Sequence, residues 1–83
     1  MKIRKAVITR IYNLCKERNI TPHYLATISG VPKTTLYSIL DEKDKKSQNP
    51  GVATIKKLCD GLEITIIEFF DDELFYNLEQ EIS

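Results

Sequence analysis

The sequence has few of the residues that stabilise other very small domains through disulfide bonds or metal sites. It has no tryptophan, three glycines and three prolines in 83 residues. Its two cysteines, Cys15 and Cys59, have no CxxC spacing, and His23 is the single histidine. A zinc site needs more cysteine and histidine ligands than these three residues supply. We therefore expect two buried thiols in a reducing compartment, with no metal and no cofactor.

Two further absences bear on location and activity. No apolar run reaches the roughly 20 residues of a membrane span, and nothing near Met1 resembles a signal peptide. We therefore predict a cytoplasmic protein without membrane contact. The sequence signals no nucleophile-and-base pair to work with His23, so we predict that the protein is not an enzyme. A chain of this length makes a single domain.

Lysine and arginine are absent from the last 24 residues, although the net charge of the chain is zero. Twelve basic and four acidic residues precede Asp60, which gives +8, and the eight acidic residues from Asp60 onward give −8. This segregation indicates one pole that meets phosphates and one that avoids them, with ordinary solvated charge as the alternative.

Apolar residues at helical spacing predict five helices. We expect helix 1 from about residue 3 to Arg18, helix 2 from a Thr21 cap to Gly30, helix 3 from about residue 32 to near Leu40, helix 4 from residues 49–51 to Gly61, and helix 5 from Thr65 to Phe70. Thr65 and Glu68 have the spacing of a capping box.

The stretch from Thr21 to Leu40 carries the most informative pattern. Leu25 and Ile28 form the predicted buried stripe of helix 2, and Leu36 and Ile39 that of helix 3. Gly30 stands between them, where a helix must stop and turn. This arrangement is typical of a helix-turn-helix.

The acidic tail, residues 71–83, follows a predicted domain of residues 1–70. Leu74, Leu78 and Ile82 stand at i, i+4 and i+8 and predict a short amphipathic tail helix. In a monomer this stripe would pack on helix 1 or helix 5, and in a dimer it would lie across a twofold axis. We favour dimerisation.

A family resemblance follows from Leu25-Ala26, Gly30-Val31, Thr35-Leu36 and Ile39, together with Asn49-Pro50, the segment 62–65 and Phe69-Phe70. These residues resemble the phage-repressor (Cro/Xre-type) helix-turn-helix family over about residues 7–70. The resemblance implies an all-α, five-helix DNA-binding domain. It also implies a small transcriptional regulator, a repressor, that binds double-stranded DNA sequence-specifically as a homodimer on a palindromic operator, with helix 3 in the major groove.

The resemblance also implies which residues contact DNA: Thr21, His23, Pro32, Lys33, Thr34, Thr35, Tyr37, Ser38, Lys43, Lys45 and Lys46. Lys33 and Thr34 stand at the outward positions that read bases, and the three loop lysines would contact the DNA backbone. Helix 3 carries no Arg, Gln or Asn, so DNA shape should contribute to specificity.

Plain solvent exposure is the alternative for each of these side chains. The alternative function is an antitoxin-like or adaptor module whose acidic C-terminal end docks a basic protein partner.

Overall fold

The fold is described by a computed structural model that covers residues 1–43 and 49–82. Within those ranges the elements are α1 (Ile3–Arg18), α2 (Pro22–Ser29), α3 (Lys33–Leu40), α4 (Val52–Leu62), α5 (Ile66–Phe70) and a 3₁₀ helix (Glu73–Phe75). The described residues form no strand. The predicted all-α fold with five helices and a helix-turn-helix is therefore confirmed. None of the described helices is long and apolar enough to cross a membrane.

Local capping sets the ends of α1 and α2 as predicted. Asn19 adopts a left-handed conformation (φ 54°) and ends α1. The Thr21 hydroxyl oxygen accepts a hydrogen bond from the backbone N–H of Tyr24 at 3.1 Å, and Pro22 occupies the first helical position. Gly30 ends α2 with φ 66°, a conformation that glycine adopts with little strain. These caps satisfy backbone groups that the short helices would otherwise leave unpaired.

One hydrophobic core joins the helices. Its fully buried members include Ile8 and Ile11 of α1, Leu25 of α2, Leu36 of α3, Leu58 and Leu62 of α4, and Phe69 of α5. The prediction that Ile28 belongs to this core is wrong, because its side chain is 39% exposed. The inner face of α2 is centred on Leu25, Ala26 and Ser29, and at 3.6 residues per turn Ile28 points roughly 100° away.

Gly61 lies at a close helix contact and does not end α4. The helix continues to Leu62, and Glu63 supplies the left-handed stop with φ 58°. A Cβ atom at Gly61 would overlap the Oγ atom of Ser29 and lie 3.0 Å from its Cα atom, which is tighter than most real Cβ contacts. The glycine therefore permits α2 and α4 to approach, so the prediction that it terminates the helix is wrong.

Arg10 connects α1 to the end of α5. Its guanidinium donates from Nε to the Phe69 carbonyl at 2.7 Å and from Nη2 to the Glu68 carbonyl at 2.9 Å. A third bond joins Nη1 to the Asp72 carboxylate at 3.1 Å. The charge count placed Arg10 with the basic pole, but this buried cation is engaged inside the fold.

The tail does not form the amphipathic α-helix that its spacing predicts. The Asp72 carboxylate accepts from the Leu74 N–H and starts a single 3₁₀ turn, and a further turn follows at residues 76–77, where Asn77 is left-handed with φ 59°. Beyond the turn, the Glu79 N–H donates to the Met1 carbonyl at 3.0 Å. Leu78 is half-buried and Ile82 is 82% exposed, so the predicted stripe is not one helix face.

Candidate nucleic-acid interface

The outer face of α3 carries the polar side chains that the sequence singled out. Lys33, Thr34, Tyr37 and Ser38 are all exposed, at the i, i+1, i+4 and i+5 spacing that places residues on one side of a helix. Tyr37 presents about half of its surface, 52%, to solvent. The structure therefore brings these four residues together on one surface, which we call the α3 face.

The opposite side of α3 is held in the core by Leu36, which is fully buried, and by Ile39 and Leu40. A helix of eight residues has little stability of its own, so this packing fixes its position. The α3 face consequently points to solvent while the opposite side of the helix is buried in the core, as the spacing of Leu36 and Ile39 predicted.

Two cations of α1 secure the far end of α3, a role that no local sequence pattern indicates. Arg4 donates from Nη2 to the carbonyl of Asp41, the residue that ends α3, at 2.7 Å. Lys5 pairs with both carboxylate oxygens of Glu42, at 2.7 and 2.9 Å. The partners are 37 residues apart, and only the folded chain brings them together.

The N-terminal ends of α2 and α3 offer backbone donors. Within residues 1–43 and 49–82, the N–H of His23 makes no hydrogen bond, while the Thr21 hydroxyl keeps its proton available beside the cap. Pro32 gives α3 no side-chain cap. Helix N-termini with unsatisfied N–H groups attract anions such as phosphate.

The remaining predicted site residues divide into two groups. Thr35 is exposed beside the buried Leu36, and Lys43 is exposed shortly beyond the end of α3, with its N–H donating to the Asp41 carboxylate at 3.0 Å. Lys45 and Lys46 lie outside the described residues.

The charge of Lys33 is not neutralised inside the described part of the protein, where it forms no ion pair. Lys56, by contrast, bonds the Asp60 carboxylate, and that bond raises the pKa of the Lys56 ammonium. Lys33 is therefore a cation of the α3 face that remains open to an external anion.

The two buried thiols add no charge to the protein. Burial raises the pKa of the thiols of Cys15 and Cys59, which keeps both neutral.

The acidic tail meets the start of α1 and not α3. Glu79 forms an ion pair with the Met1 ammonium at 3.4 Å, and the Glu81 carboxylate accepts from the Ile3 N–H at 3.3 Å. No hydrogen bond of the described tail reaches α3. The two blocks of opposite charge thus touch at the start of α1 and again at the Arg10–Asp72 pair, and the α3 face stays clear of the tail's hydrogen bonds.

Comparison with known families identifies the class of protein. A model of the Cro/C1-type helix-turn-helix DNA-binding domain matches residues 10–73, which is 64 of the 83 residues. The chain belongs to this family, and the family resemblance read from the sequence is confirmed. DNA binding and transcription regulation are accordingly its class of function.

A solved structure supports the same fold. The crystal structure of the prophage Lp1 protein 11 is similar to this chain with a TM-score of 0.77 and 26% sequence identity. The likeness covers 94% of this chain and 100% of that one. Among curated proteins, none matches the chain.

Proposed function

We propose that the protein is a transcriptional repressor that inserts α3 into the major groove of a specific DNA operator. The observation that carries this proposal is the α3 face: four adjacent polar side chains, one an unpaired lysine among the described residues, standing on a buried apolar base. The major groove admits an α-helix and displays a distinct donor and acceptor pattern for each base pair. Repression would follow from occupying the operator.

Each residue of the α3 face has a chemical role in this proposal. Lys33 donates to guanine O6 and N7, and Thr34 bonds a base edge or packs its methyl group on thymine. Tyr37 supplies a hydroxyl for a phosphate and a ring for a thymine methyl group. Ser38 supplies a second hydroxyl that hydrogen-bonds the DNA beside Tyr37. Because α3 carries no Arg, Gln or Asn, the side chains best suited to bidentate reading of bases, DNA shape carries part of the specificity.

Phosphate contacts would come from the residues around this face. The N-terminal ends of α2 and α3, with Thr21, His23, Pro32 and Thr35, would bind backbone phosphates through N–H and hydroxyl donors. Lys43, with Lys45 and Lys46, would add affinity that does not depend on sequence. These contacts set the register of α3 and make binding sensitive to salt.

We also propose that the working form is a homodimer on a palindromic operator. In such a complex two copies of α3 enter the major groove about 34 Å apart, one helical turn of DNA. A dimer doubles the contacts that a helix of eight residues can make, which supports specific binding by so small a domain.

The test begins with selection of genomic DNA fragments at low salt, followed by anisotropy measurements on an enriched duplex and on random DNA. We expect Lys33→Ala to weaken binding to the enriched duplex by about 1 to 3 kcal/mol and to relax specificity. Lys16→Ala is the matched control, because it removes one exposed lysine from α1 with the same change of net charge.

Two outcomes would contradict the proposal. One is that no fragment is enriched. The other is that a folded Lys33→Ala variant, also carrying Tyr37→Ala, binds DNA as tightly as the Lys16→Ala control, which would favour the adaptor function. For the phosphate contacts, Lys43→Ala should make the negative slope of log K against log salt shallower by about 0.9, equally for enriched and random DNA.

A further inference from the structure

A groove lined by cations lies between the start of α1 and the end of α3. It has a volume of about 360 Å³, and its lining residues are Lys2, Arg4, Lys5, Ile8 and Glu42. Three cations and one carboxylate give this lining a net charge of +2. We call it the α1–α3 groove. The DNA contacts that the family resemblance implies include none of these residues, so the groove is a separate basic surface.

The cations of the α1–α3 groove differ in how the protein engages them. Arg4 donates to the Asp41 carbonyl, and Lys5 pairs with Glu42 at 2.7 Å. The Lys2 ammonium forms no ion pair with any residue that the structure describes. The Lys5 and Glu42 side chains are 51% and 46% exposed, and ion pairs so open to water stabilise a fold little. An external anion would therefore meet Lys2 directly and would compete with Glu42 for Lys5.

The α1–α3 groove lies at one end of the α3 face. Arg4 holds Asp41, the residue that ends α3, and Glu42 follows it in the chain. The eight residues of α3 make a helix about 12 Å long, and the major groove of DNA is about 12 Å wide. A helix of that length in the major groove brings its end close to one of the two phosphate backbones. The α1–α3 groove comes to that backbone with it.

The acidic tail reaches the start of α1 without lining this groove. Glu79 pairs with the Met1 ammonium, and the Glu81 carboxylate accepts from the Ile3 N–H. Within the part of the chain that the structure describes, Glu42 is the one carboxylate in the lining. The anion that the α1–α3 groove suits is therefore not supplied by the described tail.

We propose that the α1–α3 groove binds a phosphate of the DNA backbone, with Lys2 as one ligand and Lys5 as a second once the phosphate displaces Glu42. The inference rests on the proposed insertion of α3 into DNA, and it adds a contact from a helix outside the helix-turn-helix. Lysine contacts to phosphate give affinity without reading the sequence. Glu42 opposes this contact, so it lowers the affinity for any DNA.

The first experiment compares the full chain with its Lys2→Ala variant by anisotropy, on the enriched duplex and on random DNA. Losing one phosphate contact makes the negative slope of log K against log salt shallower by about 0.9. The advantage of wild type over Lys2→Ala should therefore shrink about three- to fourfold between roughly 50 and 200 mM salt. Lys16→Ala is the matched control and should keep the wild-type slope, because this exposed lysine lies about 21 Å further along α1.

A scan of the DNA phosphates locates the contact. Single phosphates of the enriched duplex are replaced by uncharged methylphosphonates, and the affinity of each variant is measured again. We expect a position at which the replacement weakens binding by wild type and by Lys16→Ala but leaves Lys2→Ala unaffected, because that variant has already lost the contact. The absence of any such position would overturn the assignment of Lys2.

Glu42→Gln tests the same groove with the opposite sign. Releasing Lys5 should tighten binding to both DNAs and make the salt slope steeper by up to about 0.9. Glu73→Gln is its control, because it makes the same change of charge at an exposed residue of the tail. If the Lys5–Glu42 pair served only to hold the end of α3, Glu42→Gln would leave binding unchanged or weaken it.

The proposal is wrong if Lys2→Ala keeps the salt slope of Lys16→Ala, or if Glu42→Gln binds DNA no more tightly than Glu73→Gln. All four substitutions are at exposed positions, so we expect unchanged helical circular dichroism. Groove variants that match their controls, while Lys33→Ala still loses specific binding, would refute this inference and leave the proposed function standing. A wild-type chain that binds no DNA would refute both.

Discussion

Replacing Arg10 with methionine tests how the domain is held together. The substitution keeps a long apolar stem and removes the three charge-assisted hydrogen bonds to Phe69, Glu68 and Asp72. It leaves two carbonyls at the end of α5 and one partly buried carboxylate without their cation. The Arg10 side chain is only 11% exposed and that of Asp72 is 29% exposed, so water replaces these bonds poorly.

The magnitude follows from the chemistry of the three hydrogen bonds that the substitution removes. Hydrogen bonds to charged groups contribute about 1.5 to 3 kcal/mol each, but three bonds from one side chain are not additive. Removing one partner of a buried pair costs about 3 to 5 kcal/mol, and we expect Arg10→Met to be destabilised by that much. In a domain of this size the change lowers the melting temperature by on the order of 15 to 30 °C. Because small domains have roughly 5 to 15 kcal/mol in total, the substitution removes a large share of the free energy of unfolding.

The assay is urea unfolding followed by circular dichroism, with Arg18→Met as the control. Arg18 is an exposed arginine of the same helix, and its replacement makes the same change in charge. We expect the control to be destabilised by less than about 1 kcal/mol, as surface changes near a helix end are. A destabilisation in Arg10→Met no greater than in Arg18→Met would refute the reasoning that α1 and α5 are joined through this guanidinium.

Two smaller predictions concern α4 and α5. Gly61→Ala should lower the free energy of unfolding by about 1 to 2 kcal/mol, because the clash with Ser29 costs more than the gain in helix propensity. In that background, Ser29→Ala should recover part of the lost free energy in urea unfolding. If it recovers none, the clash is not with Ser29. The capping box with Thr65 lowers the pKa of Glu68, so its stabilisation is complete above the ordinary carboxyl pKa and is lost as the pH falls through the lowered one. The difference in unfolding free energy between wild type and Glu68→Ala should therefore shrink in acid, whereas a difference independent of pH would contradict it.

Local rules predicted much of this fold from the sequence. The caps at Thr21, Thr65 and Gly30 act within a few residues, and the structure has each of them as expected. The same rules predicted which α3 residues point outward, since Leu36 and Ile39 fix the inner side of that helix. That these outward residues bind DNA bases stays a prediction.

The features that sequence reasoning missed depend on contacts between distant segments. Nothing within a few residues of Gly61 shows that Ser29 packs against it, and nothing near Arg10 shows that the carbonyls of α5 lie within its reach. The prediction for Ile28 was wrong because a helix of two turns has too few apolar residues to define its inner face. The tail spacing predicted a helix, but the chain turns at residues 76–77 and Asn77 adopts a left-handed conformation that an α-helix does not contain.

The most direct test of DNA reading by the α3 face is an NMR titration of labelled protein with the selected DNA duplex. We predict that the amide signals with the largest shifts belong to Lys33, Thr34, Tyr37 and Ser38 and to the start of α2, while those of residues 73–82 move little. Largest shifts in the tail, with α3 unchanged, would contradict the claim that the α3 face is the surface that reads DNA.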